Sequence, residues 1–302
     1  MSTASSIHQC QNRRASAGGL MGLTLAGVAF VYAVARVTEV LALSNASPLP
    51  NTALVAVDIL SAMIFALVHG SARYGWRAFG IFFLLCAVVG NLMENLGVIT
   101  GFPYGHYDFN DIMGPKLLHV PVLLGLAYVG MAYVSYELAA RIVGCSRDTR
   151  PLAVPTVAAF VMVAWDLAMD PVWATVIHAW TWFDGGAWFG VPLTNYFGWY
   201  LTVFLIYCGW TAYLRRVSLP VVAQNSYAAS GGNLAPVLFY LLCAAGNVVQ
   251  LAAHPSPEVV HDGSGTAWHA SQVPAASALI SLLVMGGFAA IALLRSPARQ
   301  TD

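Results

Sequence analysis

Apolar stretches of about the length a helix needs to cross a hydrocarbon core, roughly 20 residues, recur along this chain. Read as helices, they predict eight spans, near residues 19–43, 52–70, 78–99, 117–140, 152–170, 192–213, 235–254 and 273–294. Pro48, Pro50, Pro103, Pro151, Pro171, Pro192, Pro220, Pro255 and Pro257 punctuate the joins, where a residue without a backbone N–H stops or kinks a helix. The basic residues follow the same division. Arg13 and Arg14 precede the first span, Arg73 and Arg77 separate the second and third, and Arg141, Arg147 and Arg150 separate the fourth and fifth. Arg215 and Arg216 follow the sixth, and Arg295 and Arg299 follow the eighth, whereas the other four joins share the single Lys116. Basic joins mark the cytoplasmic side. The pattern therefore predicts an all-α, polytopic bundle in the cell membrane with both termini cytoplasmic. Residues 1–18 form one tail, 19–294 a single transmembrane domain and 295–302 a second tail. The first apolar run exceeds a signal-peptide core and is read as a retained helix.

Composition agrees. Hydrophobic residues make up 59% of the 302 positions and charged residues 9%, against about 25% charged in a soluble domain. The mean hydropathy is +0.70. The formal net charge is zero, so no basic field exists to hold nucleic acid. Of the five cysteines, Cys86, Cys208 and Cys243 lie in apolar runs, and none has metal-ligand spacing to another, Cys10 and Cys145 included. They read as small apolar filler. His254, His261 and His269, in or beside the last outer join, match no common ligand pattern, so no metal is expected. The lone lysine, at a join edge, rules out a Schiff base inside the bundle. There is no dinucleotide fingerprint, phosphate loop or paired-histidine di-iron pattern, and no cofactor is expected.

The remaining polar residues are sorted by depth. Arg36, Glu39, Asp58, Glu94, His119, Asp166, Asp170, Asn195, Asn247 and Gln250 all fall toward the outer ends of their spans. Ionisable groups at such depth face a bundle interior or a cavity, so the pattern predicts one polar cavity near the outer leaflet. Asp166 and Asp170 are four apart in Trp165-Asp166-Leu167-Ala168-Met169-Asp170-Pro171, which places both on one helix face. Two carboxyls that close in a low dielectric favour sharing a proton, which is what a general acid needs. The structural alternative has Asp170 end a helix before Pro171 while Asp166 pairs with Arg36. Asn91, Glu94 and Asn95 share a face of the third span, either as a functional carboxylate with amide support or as interhelical glue. Arg36, Glu39 and Asp58 read as a structural ion-pair network.

Two outer joins flank these residues. One reads Gly101-Phe102-Pro103-Tyr104-Gly105-His106-Tyr107-Asp108-Phe109, and the other carries Trp173, His178, Trp180, Trp182 and Trp188. Aromatic residues collect at membrane interfaces for their own reasons, but such faces also suit a flat polyene or a cation. The sixth span opens Gly190-Val191-Pro192-Leu193-Thr194-Asn195-Tyr196-Phe197-Gly198-Trp199, with Asn195 close to the outer carboxylates.

These runs resemble an integral-membrane family of carotenoid biosynthesis, that of bisanhydrobacterioruberin hydratase and γ-carotene 1′-hydratase. The similarity rests on Glu94…Gly97…Gly101–Tyr107, Trp165-Asp166…Asp170-Pro171 and Phe189–Trp199, and is densest from about residue 80 to 215. His119-Val120-Pro121 stands where a Gly-Val-Pro run is the family pattern. The resemblance implies addition of water across the terminal 1,2 double bond of an acyclic carotenoid end, giving a tertiary alcohol without a cofactor. Asp170 or Asp166 would be the acid and Glu94 the water-handling partner. Asn91, Tyr104, His106, Tyr107, Trp165, Asn195 and Trp199 would hold the substrate. The implied partners are a membrane-embedded carotenoid, lipid and other enzymes of the pathway, with the oligomeric state left open. The competing readings are another acid–base reaction of the same end group (cyclisation or isomerisation), a non-catalytic carotenoid-binding protein, and a proton-coupled transporter of small solutes. The absence of a clear repeat between spans 1–4 and 5–8 weighs against the last.

Overall fold

The computed structural model describes residues 2–44, 46, 51–144, 150–217, 234–255 and 257–295, with side chains from residue 19 onward, residue 51 excepted. Cys145, Arg147, Arg299, Pro48, Pro50 and Pro220 lie outside the described residues, as do the side chains of Cys10, Arg13 and Arg14 and all of the 295–302 tail except Arg295.

Eight helices among the described residues are long and apolar enough to cross a membrane, and the chain is an all-α, multi-pass bundle. Helix α1 (Ser2–Leu43) contributes the span Gly19–Leu43 and begins well before it. It is followed by α2 (Asn51–Tyr74), α3 (Trp76–Thr100), α4 (Val122–Val143), α5 (Ala153–Pro171), α6 (Leu193–Arg216) and α7 (Ala235–Val249). Helix α8 (Gln272–Ile280) runs through a π-helical turn at Ser281–Met285 into α9 (Gly286–Leu294), and together they make the eighth span. Helix α4 forms the axis of the bundle, with every residue from 127 to 139 buried against α2, α3 and α5. Close approach is possible because Gly130 faces α2, where a Cβ would lie 2.7 Å from the Ala62 carbonyl carbon. Small residues at the crossing are what lets membrane helices pack this tightly.

Two boundaries differ from the sequence pattern for identifiable reasons. The fourth helix starts at Val122 rather than near 117, because β2 (Lys116–Leu117) and β3 (Val120–Pro121) pair as a short hairpin and Pro121 occupies the N-cap. Pro171, in turn, does not end the fifth helix, which continues as a π-helical turn over Val172–Val176. Proline has no N–H to give the carbonyl four residues back, and the Trp188 indole supplies that donor to the Leu167 oxygen at 3.0 Å.

The α3–α4, α5–α6 and α7–α8 connections are ordered by short strands. β1 (Tyr107–Phe109) pairs antiparallel with β4 (Trp180–Trp182), Tyr107 opposite Trp182 and Phe109 opposite Trp180. This ladder ties the α3–α4 connection to the α5–α6 connection. A hairpin of β5 (Val259–His261) and β6 (Ala267–His269) packs over it, so closely that a Cβ on Gly263 would lie 2.2 Å from the Trp182 carbonyl oxygen.

Candidate functional site

Glu94 lies less than two turns from the end of α3 and is almost fully buried, at 3% exposure. Both of its oxygens accept hydrogen bonds from phenols: Oε1 from Tyr128 of α4 at 2.5 Å, and Oε2 from Tyr107 of β1. Alternation along β1 turns Tyr107 and Phe109 inward and Asp108 outward. Burial, reinforced by the neighbouring Glu94 carboxylate, pushes the Tyr107 phenol well above its ordinary range, so it stays a donor. Tyr104 completes the network, 2.7 Å from the Thr202 hydroxyl and 3.3 Å from that of Tyr128. Its ring is gripped between glycines of two helices. A Cβ on Gly97 would come within 2.6 Å of it and one on Gly198 within 2.5 Å.

Asp170 closes the opposite wall. Its Oδ1 accepts the Trp180 indole N–H at 2.7 Å and its Oδ2 the Asn195 amide at 2.6 Å. The same amide nitrogen lies 3.3 Å from Asp166 Oδ2, so it bridges the two aspartates. All three side chains are buried, and the Asn195 carbonyl oxygen has no hydrogen-bond partner among the described residues. Pro192 at the N-cap sets α6 so that Asn195 occupies its first turn.

Glu94 and Asp170 border one cavity of about 20 Å³, together with Tyr107, Trp180, Trp182 and Trp199. That space suits about one water molecule. Leu124, Trp180 and Trp199 also form a wall of a second, mainly apolar cavity of about 40 Å³ between α1, α2, α4 and α5, which Trp165 and Met169 help to line. Trp199 stands between them, stacked on Tyr128 at a 4.5 Å centroid separation and edge-on to Trp165 at 6.5 Å. Two carboxyls with only neutral hydrogen-bond donors, a water-sized space and aromatic faces together make an arrangement able to move protons and shelter a cation.

The residues singled out from sequence separate into three groups. Glu94, Asp170, Tyr107, Asn195 and Trp199 line the small cavity, and Trp165 the larger one. Asp166 and Tyr104 stand directly behind them through hydrogen bonds to Asn195 and Tyr128. Asn91 and His106 lie elsewhere. The Asn91 carboxamide oxygen accepts from Asn95, whose own oxygen receives the His119 backbone N–H, which secures the β2–β3 hairpin to α3. His106 is at the surface, 65% exposed and paired with Asp184 at 2.7 Å. The side chain of His119 is likewise exposed. The outer polar residues also form two clusters rather than one, since Arg36, Glu39, Asp58, Asn247 and Gln250 make a network of their own. Sequence pattern missed Tyr128, which lies within an apolar helix. Its only sequence trace is Gly90, where a Cβ would meet the Tyr128 ring at 3.2 Å. Trp180 and Trp182 were visible only as part of an aromatic belt.

A bisanhydrobacterioruberin hydratase of Haloarcula japonica is 32% identical over 111 residues, which cover 36% of this chain. The chain spans only about 37% of the length of that relative. No solved structure matches the chain. Residues 53–260, which contain every side chain of the small cavity, match the family described as carotenoid biosynthesis protein, and with most of its length inside that match the chain belongs to this family.

Proposed function

We propose that the protein hydrates the terminal 1,2 double bond of an acyclic carotenoid end group. The observation that carries this reading is the meeting of Glu94 and Asp170, from different helices, at a buried space of water size. A carboxylic acid of the Asp166–Asp170 pair gives its proton to C2. The π electrons form the new C–H bond and leave a cation at the tertiary C1, where alkyl groups and the faces of Trp182, Trp199 and Tyr107 stabilise it. Water adds through oxygen to C1 and loses a proton to Glu94, giving a tertiary alcohol. A proton then returns from Glu94 to the aspartate pair, so the net change is one water added. The polyene stays in the bilayer, and its end enters between helices to reach the acids. In this reading both termini are cytoplasmic, the site faces the outer leaflet of the cell membrane, and other enzymes of the pathway supply the substrate. The hydratase activity printed for the Haloarcula japonica relative supports the choice of reaction.

Expression in a host that makes an acyclic carotenoid tests it. Pigment mass should rise by one water per modified end, and heavy-oxygen water should label the new hydroxyl. Label arriving from molecular oxygen, or a cyclised product of unchanged mass, would overturn the reading.

A further inference from the structure

Hydration consumes water, and the acids that use it are buried. Water must therefore reach them by some route through the protein. A third cavity, of about 440 Å³, lies between α1, α2, the π-helical turn after α5 and strand β5. Pro257, Val259 and His261 on its rim are exposed. Glu39 forms part of its inner wall. Arg36 Nη1 bonds Glu39 Oε2 at 2.7 Å and Asp58 Oδ2 at 2.8 Å, and Arg36 and Asp58 in turn border the apolar cavity that abuts the reactive one. The network thus forms the partition between an open outer vestibule and the dry interior. It is also short of partners. Among the described residues, Asp58 Oδ1, Gln250 Oε1 and Arg36 Nε are buried without a hydrogen bond, and the Asp58 side chain is 93% buried, being 7% exposed. Two unmatched acceptors and one donor between two cavities are what bound water satisfies.

We propose that the Arg36–Glu39–Asp58 partition is a water-binding inlet, holding co-substrate water at Asp58 and passing it from the outer vestibule toward Glu94. The inlet rests on the hydration reading above. It acts after protonation, because the cation at C1 has two fates. Capture of water gives the alcohol, whereas loss of a proton from C2 restores the alkene. In heavy water the second fate leaves deuterium at C2 of recovered carotenoid, so the ratio of deuterium exchange to alcohol reports water supply.

Two variants test the inlet from different sides. Asp58→Asn keeps the shape of the side chain while allowing a donor to replace the unmatched acceptor. Ala42→Phe narrows the vestibule and leaves the ion pairs intact. Each should raise the exchange-to-alcohol ratio by on the order of tenfold while leaving KM for the carotenoid nearly unchanged. A purely structural role would lower stability and turnover without altering that ratio. If Asp58→Asn does not fold, Ala42→Phe carries the test alone. An unchanged ratio in a folded variant overturns the inlet and leaves the hydration reading intact. Wild-type protein that yields neither alcohol nor exchanged carotenoid overturns the hydration reading and removes the inlet with it.

Discussion

Two groups of buried acids sit side by side in the same half of this bundle, and only one of them contains a cation. Around Arg36, two carboxylates share a guanidinium that also reaches the Asn247 side chain at 2.7 Å. Around Asn195, the acids Glu94, Asp166 and Asp170 meet phenols, indoles and an amide, and among the described residues none of the three forms an ion pair. A fixed positive charge orients its acids through ion pairs and fastens α1 to α2 and α7. Neutral donors orient a carboxyl without committing it to one protonation state, which is the condition for proton transfer. Burial and helix position are alike in the two groups, so the partner decides what each acid does.

The sharpest way to break the comparison is to replace acids by amides. Asp170→Asn and Glu94→Gln keep size and turn one acceptor into a donor, which the Asn195 amide and the phenols can meet by reversing, and each should cut turnover by about 10²–10⁴-fold, the usual contribution of a positioned acid or base. Detergent-solubilised protein should still unfold at close to the wild-type temperature. A variant that keeps its activity would place that carboxyl outside the chemistry. Arg36→Met should do the reverse. Removing one member of a buried ionic group costs about 3–5 kcal/mol, so thermal unfolding should fall steeply, and the protein that stays folded should show a higher exchange-to-alcohol ratio. Gly198→Ala gives an intermediate case. Its methyl group would press on the Tyr104 ring, costing about 1–3 kcal/mol as overpacking does. Turnover should drop further than stability alone explains, because Tyr104 supports the Tyr128 donor to Glu94.

The smallest effect concerns Asp262, outside the spans. Burial works to raise its pKa, but hydrogen bonds from Ser264, Trp268 and Thr266 outweigh this and hold it below the ordinary carboxylate range. A carboxylate depressed by folding adds stability above its unfolded value and loses it as pH falls through the folded one. The β5–β6 hairpin should therefore open more readily to proteases or hydrogen exchange only in strongly acid solution, and Asp262→Ala should show that openness already at neutral pH.

Much of this was legible in the chain itself, and the failures have physical causes. Eight apolar runs and their alternating arginines marked the helices because bilayer thickness imposes a length that no soluble fold requires. Asp166, Asp170 and Glu94 stood out because acids are costly within spans. His106 misled because it sits inside the same run as Tyr104 and Tyr107, where a turn in the chain sends it to the surface. Tyr128 was hidden among alanine, valine and glycine, since a phenol in an apolar helix shows nothing of what its hydroxyl meets. The division of outer polar residues into two clusters was out of reach as well. Depth along a helix can be counted from sequence, but the direction in which a side chain leaves it depends on how neighbouring helices are turned. Pro171 illustrates a further limit, because its missing N–H is compensated by an indole 17 residues later, Trp188.

The ladder between β1 and β4 has a consequence for biogenesis. The phenol that serves Glu94 and the indole that serves Asp170 are carried by strands that hold each other. A nascent polypeptide with four inserted helices already has its glutamate, yet the strand beside it lacks a mate until the ribosome has delivered the fifth helix and the segment beyond. The chamber is thus closed only once the strand after the fifth helix has been made, and until then its first acid faces an unfinished wall.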